Sequence, residues 1–402
     1  MRIPGAAAFF LAAAPARVGV AMTGLGMVWL VHAETGSFGA AGLVTGSFAV
    51  AEALVGPQAA RFMDRYGQPR VLVPLLLAHA GALAALVVTV LTGAPTVALM
   101  AAGLAAGATI PQIGALSSAR WSALLRGGAE PADSALAPAF ALETLSNEAA
   151  FLLGPALAVL AATRLHPAAG TVLAGALVVG AGLVFAALRG TAPEPTARPM
   201  RKIGDGRGPS GLRSHGFVSL LVVNLALGVF FGATQVSVSA LAADLHAAPA
   251  AGLMYGLMSV ASLLAGLAYG KYGRSTAPAD QLPVILAFLG CASLLPLLAG
   301  TPWQLGLALL LPGAGVAPCI VVSSTLIASV VDRSVVTQAF TWANSASAAG
   351  IAFSAGAVGR LVDGPAGAGA GFAVPSLALA VTAVLARAGR RALTTDRAGA
   401  SG

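Results

Sequence analysis

Along the chain, apolar residues gather into twelve stretches of roughly twenty positions, set apart by short breaks where Pro, Gly and charged residues collect. The first six run over about 6–31, 38–60, 71–92, 95–119, 136–162 and 168–188. The second six run over about 215–241, 251–270, 281–299, 302–327, 336–360 and 368–388. No alternation of period two runs through them, so they predict helices rather than the strands of a barrel. About 20 helical residues cross a hydrocarbon core about 30 Å thick. The pattern therefore predicts an all-α integral membrane protein with twelve transmembrane helices. The first stretch carries Ala14-Pro15-Ala16, which looks like the cleavage site of a leader. It stays apolar past Arg17 as far as Val31, however, and is read as a span.

Composition agrees: 9% of residues are charged and 57% hydrophobic, too little polar surface to cover a water-soluble globule. If the first residues are cytoplasmic, all but three of the 22 Lys and Arg fall in cytoplasmic segments. The exceptions are Arg164 and Arg360 on the other side and Arg17 within a span. The positive-inside rule then predicts both termini in the cytoplasm, and the net charge of +8 faces anionic lipid, with no nucleic-acid partner expected. Cys291 and Cys319 fall inside spans without a CxxC or Cys/His cluster, which predicts no metal site and no disulfide. Twenty Arg against two Lys, with abundant Ala, points to a GC-rich bacterial source and so to a bacterial cytoplasmic membrane.

The two sets of six spans resemble each other. AAGL at 40–43 recurs at 250–253, each with a glycine three residues on, Gly46 and Gly256; YG at 66–67 recurs at 272–273. GATIPQIGALSS in span four matches GAGVAPCIVVSS in span ten, and AF at 139–140 recurs at 339–340. Ordered matches at a nearly constant offset predict a duplicated six-helix unit: a first bundle over 1–190, a Pro-, Gly- and Arg-rich cytoplasmic linker over 191–214, and a second bundle over 215–402. Small-xxx-small spacings such as Gly42 and Gly46, Gly103 and Gly107, and Gly252 and Gly256 predict close helix packing, with no site role. Pro111 and Pro318, at nearly matching places, predict kinks, and Pro312-Gly313 a second weak point in span ten.

Charge is concentrated in RFMDRYGQPR at 61–70. Gly67 permits a tight turn there, and Asp64 can accept charge-assisted hydrogen bonds from an Arg or a helix N-terminus of the other half when the two halves close. The stretch AARFMDRYGQPR resembles the G-x-L-A-D-R-x-G-R-R loop of the major facilitator superfamily, with Asp64, Arg65, Gly67 and Arg70 standing as its acid, base, turn glycine and trailing base. Ala60 replaces the first glycine and Gln68-Pro69 the paired bases. The second-half echo, GLAYGKYGRS, keeps Lys271, Gly273 and Arg274 but has Gly270 in place of the acid. This resemblance implies two pseudo-symmetric six-helix bundles, a central cavity, and a monomer that carries a small-molecule substrate. EAAFLLGP at 148–155 is similar, through Gly154-Pro155, to a fifth-helix motif of proton-driven exporters. ARW at 119–121 with Glu143 and Gly154-Pro155 is similar to actinobacterial members regarded as drug or metabolite exporters.

Four ionisable residues other than His lie well inside spans: Arg17, Glu52, Glu143 and Glu148. Each costs roughly 2.5–3.5 kcal/mol to insert, so each calls for a partner or a purpose. One Arg cannot neutralise three carboxylates. Glu148 is the expected proton carrier, with Arg17 tuning it or binding an anionic group; Glu143 with Asn147 and Thr144 with Glu148 form two polar stripes on span five. A static pairing of Arg17 with a Glu is the alternative. Gln112, Asn224, Gln235, Gln338 and Asn344 can each contact substrate or hold a neighbouring helix, and His79 is read as structural. The expected function is proton-coupled export of a small amphipathic molecule, with a nutrient importer or facilitator of the same fold as the alternative. No cofactor and no enzymatic activity are expected; the proton gradient is the energy source.

Overall fold

The computed structural model describes residues 5–126, 132–195, 214–272, 276–331, 336–365 and 367–390. The first half comprises α1 (Ala6–Thr35), α2 (Phe38–Tyr66), α3 (Gln68–Leu91), α4 (Thr96–Thr109), α5 (Ile113–Arg126), α6 (Ala132–Arg164) and α7 (Ala169–Ala187). The second comprises α8 (His215–Asp244), α9 (Ala251–Tyr272), α10 (Pro278–Ala292), α11 (Pro302–Val330), α12 (Val336–Val362) and α13 (Ala373–Ala388). With α4 and α5 forming one span, twelve helices among the described residues are long and apolar enough to cross a membrane. An even number of crossings brings both ends of the chain to one end of the bundle, hereafter the termini end; the other is the far end.

Local chemistry sets the turns. Gly36, at φ 67°, closes α1 by donating its N–H to the His32 carbonyl at 2.8 Å. The next residue, Ser37, caps α2 by accepting the Ala40 N–H at 3.1 Å. Ser214 caps α8 through the Phe217 N–H in the same way.

Span four breaks outright at Pro111. Ile110 is extended, as a residue before proline tends to be, and Pro111 has no N–H to continue the ladder. His79 of α3, wholly buried, meets the break: its Nδ1 lies 3.2 Å from the Ala106 carbonyl and 3.3 Å from Thr109 Oγ1. A carbonyl can only accept, so Nδ1 carries the proton. The matching kink expected in span ten is absent as a break, since α11 runs as one helix through Pro312 and Pro318. Beside Pro312, Gly313 lets the α11 backbone lie against Met258 of α9.

The halves meet along α2 with α12, α6 with α9, and α1 with α8. The repeated glycines, expected to be mere packing, form the first two crossings. A Cβ at Gly42 would overlap the Ala355 carbonyl, and one at Gly46 would come within 2.7 Å of the Ala352 carbonyl. A Cβ at Gly252 would overlap the Pro155 carbonyl, and one at Gly256 would come within 2.7 Å of the Leu152 carbonyl. Thus AAGL in each half is the point where that half crosses the other.

Buried apolar side chains separate by depth. Two clusters draw on both halves: one around Met27, Val44, Val236 and Val358, the other around Met22, Trp29, Met254 and Leu309. Two belong to one half each: Phe9, Leu72, Trp121 and Phe185 in the first, Phe217, Leu286, Leu326 and Ala383 in the second. The shared clusters lie toward the far end, the separate ones toward the termini end. Among the described residues, the apolar cores that the halves share thus lie at the far end.

Candidate coupling site and gates

The buried charge of the first half is built around Glu143. Arg17 of α1 forms an ion pair with Glu143 of α6 and donates from Nη1 to Ser146 Oγ at 2.9 Å. The Glu143 carboxylate also accepts from Ser117 Oγ at 2.7 Å and from Trp121 Nε1 at 2.8 Å, both on α5. Both residues of the pair are buried. A carboxylate with three donors and an Arg with two acceptors form a closed, internally neutral unit that ties α1, α5 and α6 together. This corrects the expected link between Arg17 and Glu148: Arg17 meets the α1-facing stripe of α6, which runs through Glu143, Ser146 and Gly154, and pairs there with Glu143.

Glu148 occupies another face of α6. Leu152 and Pro155, one and two turns on, are the residues that meet Gly256 and Gly252 of α9. Glu148 therefore sits on the seam between halves, one turn toward the termini end from the last close crossing. It is half-buried and has no partner among the described residues, and Asn147 beside it is exposed.

Glu52 lies on the face of α2 that packs against span four. A Cβ at Gly103 would come within 2.8 Å of the Val44 carbonyl, and one at Gly107 would overlap that of Phe48. Glu52 is the next residue along this ladder, where span four breaks, and Gln112 in the break donates to it from Nε2 at 3.0 Å. Gln112, expected as a substrate contact, is thus engaged by Glu52. Asn224 is likewise engaged, donating to the Leu220 carbonyl at 2.8 Å and to Ser323 Oγ of α11 at 3.1 Å, a helix-packing contact. Gln235 packs on Gly24 at the α1–α8 crossing, its Nε2 2.8 Å from where a Cβ would stand. Asn344 of α12 is exposed. The side chain of Gln338 lies outside the described residues.

At the termini end, Gly67 turns the chain between α2 and α3 with φ 91°, a conformation that favours glycine. Asp64, Arg65 and Arg70 are exposed, Arg65 lying over the Tyr66 ring at 5.2 Å. Asp64 has no partner among the described residues. Gly273 and Arg274 lie outside the described residues, as does the side chain of Lys271.

Two residues that the sequence showed only as parts of motifs, Arg120 and Gln68, meet at this end. Arg120, wholly buried, donates to Gln68 Oε1 at 3.0 Å, to the Leu188 carbonyl at 3.0 Å and to Thr191 Oγ1 at 2.9 Å, and lies 3.7 Å over the Phe185 ring. Gln68, the departure from the loop motif noted above, is the group that receives it. The signal was there in the sequence: a Gln where the motif has a base leaves room for a cation from another helix.

Cys291 is exposed and Cys319 buried, both free, and no group of three metal-ligating side chains occurs among the described residues.

Solved structures with this architecture include the peptide-family transporter PepTSo (TM-score 0.72, 12% identity, 98% of this chain and 99% of that one). A bacterial homologue of the iron transporter ferroportin in its inward-facing state aligns with a TM-score of 0.73 at 16% identity, over 97% of this chain and 99% of that one. The nucleoside transporter NupG aligns with a TM-score of 0.69 at 14% identity, over 96% and 100%. At these identities the likeness shows the fold alone. No curated protein matches the sequence. The family profile described as Major Facilitator Superfamily matches residues 9–355, and the chain belongs to that superfamily of multi-pass membrane transporters.

Proposed function

We propose that the protein is a proton-coupled exporter of a small amphipathic molecule, acting as a monomer in a bacterial cytoplasmic membrane by alternating access. The observation that carries this is the position of Glu148: a carboxyl with no partner among the described residues, on the seam between halves and one turn toward the termini end from the crossing of Leu152 and Gly256. A group there changes surroundings each time the halves rock, so it exchanges its proton with one side and then the other. With few other charges along the seam, the pathway suits a largely apolar solute. If both termini are cytoplasmic, as the distribution of Lys and Arg argues, the termini end faces the cytoplasm. Substrate would then enter from the cytoplasm and leave at the far end as a proton enters.

The test is flux in proteoliposomes under an imposed proton gradient. Export by antiport predicts uptake into vesicles that are acidic inside and holding the inverted orientation, with a sign that reverses with the gradient. Flux indifferent to the gradient would select a facilitator instead, and flux along with protons would select an importer.

A further inference from the structure

At the far end, the α12–α13 connection reaches across to the other half. Asp363, just past α12, accepts three hydrogen bonds from the start of α2: from the Phe38 N–H at 3.0 Å, the Gly39 N–H at 2.8 Å and the Ser37 hydroxyl at 2.7 Å. The N-terminal amides of a helix have no partner within the helix and carry the positive end of its dipole. A carboxylate from the opposite half supplies what they lack, and it does so in the same turn where Gly42 brings α2 onto α12.

We propose that Asp363 and the N-terminus of α2 form a switchable latch that holds the far end closed. Resting on the alternating-access reading above, this names the contact that must break whenever that end opens. Its donors are backbone amides that water can satisfy on opening, so the latch releases without stranding a buried charge; an ion pair buried like Arg17 with Glu143 could not. Asp363 acts through the position of α2 and need not touch the solute.

The test uses full-length protein lacking Cys291 and Cys319, with spin labels at exposed Leu165 and Leu298 across the far end. A second labelled pair, Tyr66 and Thr276, spans the termini end. Asp363→Asn is expected to raise the ratio of long to short far-end distances about tenfold, the size of one lost charge-assisted bond. Ser37→Ala, which leaves both amide bonds in place, should raise it about threefold and serves if the first variant folds poorly. The Tyr66–Thr276 distance should shorten in step. Wild-type distance ratios in both variants, at any transport rate, would overturn the latch while leaving the exporter reading intact. A transporting wild type with one fixed distance at each end would overturn both.

Discussion

The two halves share a backbone plan and divide the chemistry. Gly42 and Gly252 make equivalent crossings, each against a carbonyl of the other half. Yet among the described residues, Arg17, Glu52, His79, Arg120, Glu143 and Glu148 are all in the first half, and the second half has no Asp, Glu, Lys or Arg well inside a span. The close crossings are thus matched between the halves, and the buried charges are not. The proposed coupling therefore draws on the first half, where the buried charges are.

The largest effect should come from breaking the asymmetric part. Glu143→Ala leaves Arg17 buried without its counter-charge and should cost about 3–5 kcal/mol, read as a lowered unfolding transition in detergent. Removing both charges, Arg17→Met with Glu143→Leu, should recover most of that loss. A double variant as unstable as the single one would mean that the closed unit is not what holds α1 to α6.

Next, the symmetric part should respond symmetrically. Gly42→Ala and Gly252→Ala each press a methyl into a carbonyl, an overpacking cost of about 1–3 kcal/mol. Both should slow transport to a similar degree, measured as initial flux in proteoliposomes. A large effect at one and none at the other would break the symmetry argument. The smallest effect belongs to the second half's polar contact: Asn224→Leu should cost about 0.6 kcal/mol, typical of one hydrogen bond between membrane helices, with proton coupling unchanged.

The fold was legible because twenty-residue apolar runs have few alternatives in a bilayer. AAGL repeated at a fixed offset told which segments correspond. What it could not tell was that Gly42 and Gly252 face the other half, since a small-residue spacing reads the same for any close neighbour. The break at Pro111 and the continuity at Pro318 have the same cause: a proline shows where a helix is weak, and packing decides whether it gives way. Among charges, Glu143 and Glu148 both stood out in the sequence, but assigning Arg17 between them required knowing which α6 stripe faces α1. Asp363 was missed because its partners are backbone amides, which leave no trace in side-chain composition.

The central claim is that Glu148 carries the coupled proton, and proton release from inverted vesicles tests it most directly. A pH-sensitive dye would follow wild type, Glu148→Gln and Asn344→Ala as a panel of amphipathic compounds is added. The account predicts compound-induced proton movement in wild type and Asn344→Ala, and none in folded Glu148→Gln. Full proton movement in Glu148→Gln would contradict it and move the coupling elsewhere, first to Glu52.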